Sequence, residues 1–82
     1  MILVALTPEK EIFNGSIQSV KVPGTNGQFE VLNGHAPIVA SLTEGEVRII
    51  DENGERTSFN ISKGFIEVLD NEVSVLIQSL NA

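Results

Sequence analysis

Apolar side chains recur at every second position along much of this chain, in short runs separated by Asn-Gly pairs. Val47 and Ile49 alternate with Glu46 and Arg48, and Thr57, Phe59 and Ile61 with Arg56, Ser58 and Asn60. Val73, Val75 and Ile77 alternate with Glu72, Ser74 and Gln78. A period of two places one set of side chains on a single face of a pleated strand, so each run reads as a half-buried strand. Val4 shares a parity with Leu6, and Val20 with Val22. On this reading Val4, Val20, Val22, Val47, Ile49, Phe59, Ile61, Val73, Val75 and Ile77 point inward. Four of the seven glycines follow Asn, at 14–15, 26–27, 33–34 and 53–54. Both residue types tolerate positive φ, so each pair marks a tight turn.

Helical periodicity nowhere persists beyond about three turns. Thr7-Pro8-Glu9 has the form of a helix start, but Phe13-Asn14-Gly15 breaks the stretch, so residues 7–11 read as a turn. Asp51-Glu52-Asn53-Gly54 and Asp70-Asn71 close hairpins over 45–61 and 63–78. The run Phe65 to Leu69 is apolar on both parities, which suits a strand covered on both faces or lying under a partner. About eight to ten short strands with frequent turns make an all-β sandwich or barrel. With 82 residues it is a single domain, 1–82.

Composition removes several function classes. Cysteine is absent, so there is no disulfide, cysteine nucleophile or thiolate metal site. Eleven acidic residues against five basic ones give a net charge of −6, which repels phosphate backbones and argues against nucleic acid. The apolar run Ile2 to Leu6 is far too short to span a membrane as a helix. The start MILVALTPEKE has no basic n-region and no Arg-rich stretch of a targeting segment.

Special backbone chemistry concentrates in VPGTNGQFEVLNGHAPI, residues 22–38, with three glycines, two prolines and the only histidine. Gly24-Thr25-Asn26-Gly27 lacks both the lysine and the following helix of a phosphate loop, so no nucleotide is expected there. His35 has neither a nucleophile motif beside it nor a second histidine to complete a zinc site, and reads as structural or interfacial. Asp51 to Glu55 resembles a calcium loop only in charge, with Gly54 and the distal acid out of place. Glu44, Glu46 and Glu67 could act as paired carboxylates only if the fold set their separation. No catalytic residue, cofactor or metal ligand is expected. On the residues alone, two readings stand: a shaped surface read by another protein, and a small acidic β-sandwich adaptor for a peptide or carbohydrate.

Combined motifs favour the first. VPGTNGQFEVLNGHAPIVASLTEGEVRI resembles the signature of the ε subunit of F-type ATP synthases, V-x-G-x-x-G-x-(L/F)-x-(I/V)-(L/Y)-x-x-H-A-P-(L/I), then G-x-(V/I)-R-(I/V). Ser62 to Val68 is similar to that family's (S/G)-G-G-(F/I)-x-E-V, and Asn71 to Leu76 to its N-x-V-T-V-L. Thr7-Pro8-Glu9 and Phe13-Asn14-Gly15 fit its opening. Lys63 stands where a glycine is common, and Glu30 where the family often has one.

The resemblance, which covers essentially the whole chain, implies a flattened β-sandwich of two antiparallel sheets and a non-catalytic place in a rotary machine. The family domain sits at the foot of the central stalk, clamped to the γ subunit and resting on polar loops of the c-ring. It acts on the α and β subunits only indirectly. By position, Gln28, Phe29 and Glu30 face the c-ring, and Thr7 and His35 face γ. Membrane contact would come only through these partners. A Met start without a transit peptide implies a bacterial chain at the cytoplasmic face of the inner membrane. Many members continue into a C-terminal helical hairpin that can restrain ATP hydrolysis and, in some, binds ATP. Here the sequence stops at Ala82, which resembles the short forms without the hairpin found in some bacteria, or else a trimmed piece of a longer chain.

Overall fold

The computed structural model describes residues 1–81, so the expectation attached to Ala82 lies outside the described residues. The described elements are strands: β1 (Ile2–Leu6), β2 (Glu11–Gly24), β3 (Gly27–Leu32), β4 (Ile38–Leu42), β5 (Gly45–Asp51), β6 (Arg56–Leu69) and β7 (Glu72–Asn81). The all-β class and the sandwich follow as expected, but with seven strands instead of eight to ten. The reason is that β2 and β6 each run for 14 residues and serve both layers.

Each long strand changes layer at a break in its ladder. Pairing of β2 with β5 shifts between Ile17 and Ser19, and pairing of β6 with β7 shifts on both sides of Lys63. Such bulges bend a strand and let it turn the corner of a sandwich. The first half of β2 pairs with β1, and its second half with β3 and β5. Likewise the first half of β6 pairs with β5, and the second half with β4 and β7. Layer one therefore holds β3, the second half of β2, β5 and the first half of β6. Layer two holds the first half of β2, then β1, β7, the second half of β6 and β4. The ring β1–β2–β5–β6–β7 closes on itself, so the two layers are one folded sheet, flattened to 28 × 24 × 19 Å. Pairs are antiparallel except β1 with β7, which is parallel. No turn signal announces that pair, because the strands come from opposite ends of the chain.

The core fills the space between layers. Val20, Val22, Val47, Ile49, Ile61, Val73, Val75 and Ile77 are buried as their parity predicts. Val4 is a correction: it is only half-buried, and Leu3 and Ala5 take the inward face of β1. Every residue of β1 is apolar, so alternation could not choose its face. Phe59 lies opposite buried Val47 and packs against the core, yet stays half-buried.

Turn chemistry is mostly local and mostly as read. Asp70 and Asn71 have φ of 51° and 62°, the two positive values of a two-residue hairpin turn. Thr7 closes the 7–10 turn: its backbone N–H donates to the Lys10 carbonyl at 2.9 Å, and its hydroxyl accepts from the Lys10 N–H at 3.1 Å. Asn14-Gly15 is the exception. It runs on as strand within β2, opposite Val4 and Leu3. Asn-Gly permits a turn without requiring one, and pairing with β1 decides.

Candidate functional site

The two outer faces differ in chemistry. Across layer one, Glu30, Lys21, Arg48 and Ser58 lie side by side on neighbouring strands. Across layer two the outward rows are largely apolar. One row reads Ser41, Phe65, Leu76, Leu6; the next reads Val39, Glu67, Ser74, Val4; the third reads Leu69, Glu72, Ile2. Val39 is 72% exposed, Leu69 53%, Leu76 50% and Phe65 47%. The exposed apolar side chains cluster on β4, β6 and β7 around Glu67 and Ser74, and such a cluster rimmed by polar residues suits a partner contact.

The strip is grooved. A furrow of about 330 Å³ runs past Leu6, Thr7, Pro8, Phe65 and Leu76. A second depression of about 350 Å³ between Val39, Phe65, Glu67 and Leu76 continues it. At the far side, Pro37 joins Val39, Glu67 and Leu69 around a third. The doubly apolar run Phe65 to Leu69 was the one sequence signal of this face. Val39, Leu76, Leu6 and Ile2 join it only through strand pairing.

The residues expected to face γ lie at opposite ends of this strip. Thr7 follows β1 and lines the furrow. His35 sits in the 33–37 loop, next to Pro37 at the other end of the strands. That loop is held by three bonds: His35 N–H donates to the Leu32 carbonyl at 3.0 Å, Gly34 N–H to Asn71 Oδ1 at 2.8 Å, and the His35 ring Nδ1 to the Ala36 carbonyl at 2.7 Å. A carbonyl only accepts, so Nδ1 carries the proton and Nε2 alone remains for a partner.

Gln28, Phe29 and Glu30 stay together on β3, at the edge of layer one. Gln28 and Glu30 are exposed, while Phe29 packs against the core. Phe29 also covers Gly24: a Cβ there would lie 2.7 Å from the Gly27 carbonyl oxygen and 3.0 Å from the Phe29 ring. Glu30 forms a part-exposed ion pair with Arg48 at 3.7 Å, a kind of contact that adds little stability. The β2–β3 hairpin is stitched to the β4 end by Thr25 N–H to the Ser41 carbonyl and Thr43 N–H to the Pro23 carbonyl. These bonds join the edge to β4, which borders the apolar strip.

Catalytic groups do not converge. Glu46 faces out from layer one opposite Asn60, whereas Glu67 faces out from layer two, so the sandwich separates these carboxylates. Among the described residues, no three of His, Asp and Glu gather as a metal site. Nor is any described helix long and apolar enough to cross a membrane.

Comparison with known proteins gives this surface a context. The sequence model of the ATP synthase delta/epsilon chain β-sandwich domain matches residues 1–81. The chain belongs to this family. The ATP synthase epsilon chain of Protochlamydia amoebophila is 40% identical over 80 residues, 98% of this chain and 54% of that one. The epsilon chain of Chlorobaculum tepidum is 42% identical over 76 residues, 93% of this chain and 86% of that one. The chain thus spans about half of one relative and most of the other. Among solved structures it is similar to a chain of the Euglena gracilis mitochondrial ATP synthase, with a TM-score of 0.84 at 25% identity over 94% of this chain and 49% of that one. The same fold occurs in the central stalk and c-ring structure of the Tetrahymena thermophila enzyme, with a TM-score of 0.81 at 19% identity over 99% of this chain and 65% of that one.

Proposed function

We propose that the chain is a non-catalytic central-stalk subunit of an F1Fo ATP synthase, joining the c-ring to the γ subunit so that proton-driven rotation reaches the α and β subunits. Family membership supports this place in the complex. One observation carries the division of labour: the apolar strip of layer two runs between Thr7 and the His35 loop, the two positions assigned to γ. A part that transmits torque needs broad, shape-matched contacts more than single strong bonds. Layer two offers such a contact to γ. The edge that carries Gln28, Phe29 and Glu30 exposes the polar Gln28 and Glu30, with Phe29 packed beneath them, and suits the polar loops of the c-ring. No nucleotide or other cofactor is needed for this role. The subunit belongs to the F1 sector, peripheral to the membrane, and its working place is the cytoplasmic face of a bacterial inner membrane.

Co-expression with γ tests the reading. Wild-type chain is expected to co-purify with γ, and Val39→Asp or Leu76→Asp to lose it while the isolated chains melt as before. Both positions are about half exposed or more, so a charge there is tolerated by the fold but not by an apolar contact. Undiminished co-purification of both variants would take γ off this face.

A further inference from the structure

Glu67 is the one charge in the middle row of the strip. Phe65 and Leu69 flank it on its own strand, Val39 lies opposite on β4 and Ser74 opposite on β7. Its side chain faces outward and makes no ion pair or hydrogen bond among the described residues. Lys63, the nearest cation on the same strand, is four positions back, about 13 Å along an extended chain. Glu72 differs, because it lies in the last row beside the β6–β7 turn and keeps its access to water. Any partner that covers Phe65, Val39 and Leu69 must also strip the water from Glu67.

A carboxylate that loses its water without gaining a cation opposes association strongly, whereas one that meets a cation contributes orientation and specificity. We propose that the γ surface seated on layer two presents one Lys or Arg side chain to Glu67, in the middle row of a largely apolar contact. This rests on the reading of layer two as the γ face and adds what that face of γ must contain. The pair helps to fix register: apolar contact by itself tolerates sliding more readily than a single central charge pair does.

Affinity for γ of the wild-type chain, Glu67→Gln and Glu67→Leu decides the matter, with the melting temperature of each chain as the control for fold. Glu67→Gln keeps the shape and removes the charge, and is expected to weaken binding about tenfold or more. Glu67→Leu leaves the partner's cation buried against hydrocarbon, and is expected to weaken it about a hundredfold. Glu67 is exposed, so neither change should move the melting temperature. Tighter binding by Glu67→Leu, or unchanged binding by Glu67→Gln, would show that no cation faces this carboxylate and would overturn the inference while leaving the γ contact in place. Failure of the wild-type chain to bind γ would overturn the rotor reading and this inference together.

Discussion

Asn71 holds two distant pieces of chain from one turn. Its carbonyl accepts the Ile2 N–H at 3.0 Å, and its side-chain Oδ1 accepts the Gly34 N–H at 2.8 Å. Its φ of 62° is left-handed, which Asn tolerates better than most residues. The turn at 70–71 is legible from Asp-Asn, but the bond to Gly34, 37 residues away, is not. Replacing Asn71 by Gly keeps the backbone freedom and deletes only the side-chain bond. About 1 kcal/mol of stability is expected to go, a fall of some 4–8 °C in melting temperature for a domain this size. Amide exchange at Gly34 and His35 should rise more than in β6 or β7. Equal exchange in variant and wild type would mean that the loop is held by other contacts. The two departures from the family pattern are also settled at this scale. Glu30 is an exposed edge residue that reaches Arg48, and Lys63 is an exposed bulge residue without positive φ, so neither position requires glycine here.

At the level of elements, the bends in β2 and β6 turn strands into a closed sandwich. Gly64 sits just past the β6 bulge, where a Cβ would lie 2.5 Å from the Leu76 carbonyl oxygen and 3.4 Å from the Ile77 Cα. Backbone atoms of a paired strand cannot move aside cheaply. Gly64→Ala is therefore expected to cost about 1–3 kcal/mol by thermal or denaturant melt. Gly15 makes the contrast, since a Cβ there would meet only the Phe13 ring at 3.7 Å, an ordinary contact. Its φ is not positive, so Gly15→Ala should be neutral or mildly stabilising. Similar melts for the two variants would contradict the tight β6–β7 approach.

At the scale of the whole fold, the flattened sandwich has unlike faces, one carrying the Glu30–Lys21–Arg48 row and one the apolar strip, with the Gln28 edge beside the β4 end. On the proposed function, the apolar face and the Gln28 edge would meet different partners. Gln28 is exposed and bears on neither the core nor the strip. Gln28→Arg is thus expected to leave melting and γ binding unchanged and to lower proton pumping by the assembled enzyme. Normal pumping in membranes carrying the variant would remove Gln28 from the c-ring contact.

The sequence by itself determined the strands and their inward faces in runs where polar residues regularly interrupt apolar ones, as in Val47–Ile49 and Val73–Ile77, though Phe59 in such a run stays half-buried. It also determined the turns at 51–54 and 70–71. Those features depend on neighbours one to four positions apart, and a period of two states them directly. Tertiary structure alone decided the face of all-apolar β1, the passage of Asn14-Gly15 as strand, the continuity of β2 and β6, and the parallel β1–β7 pair. It also assembled the strip: Phe65 to Leu69 was visible as a run suited to a partner, but Val39, Leu76, Leu6 and Ile2 are brought beside it by pairing. Most of these outcomes turn on which strand lies alongside, and local alternation carries no information about that; Leu76 alone follows from the hairpin over 63–78.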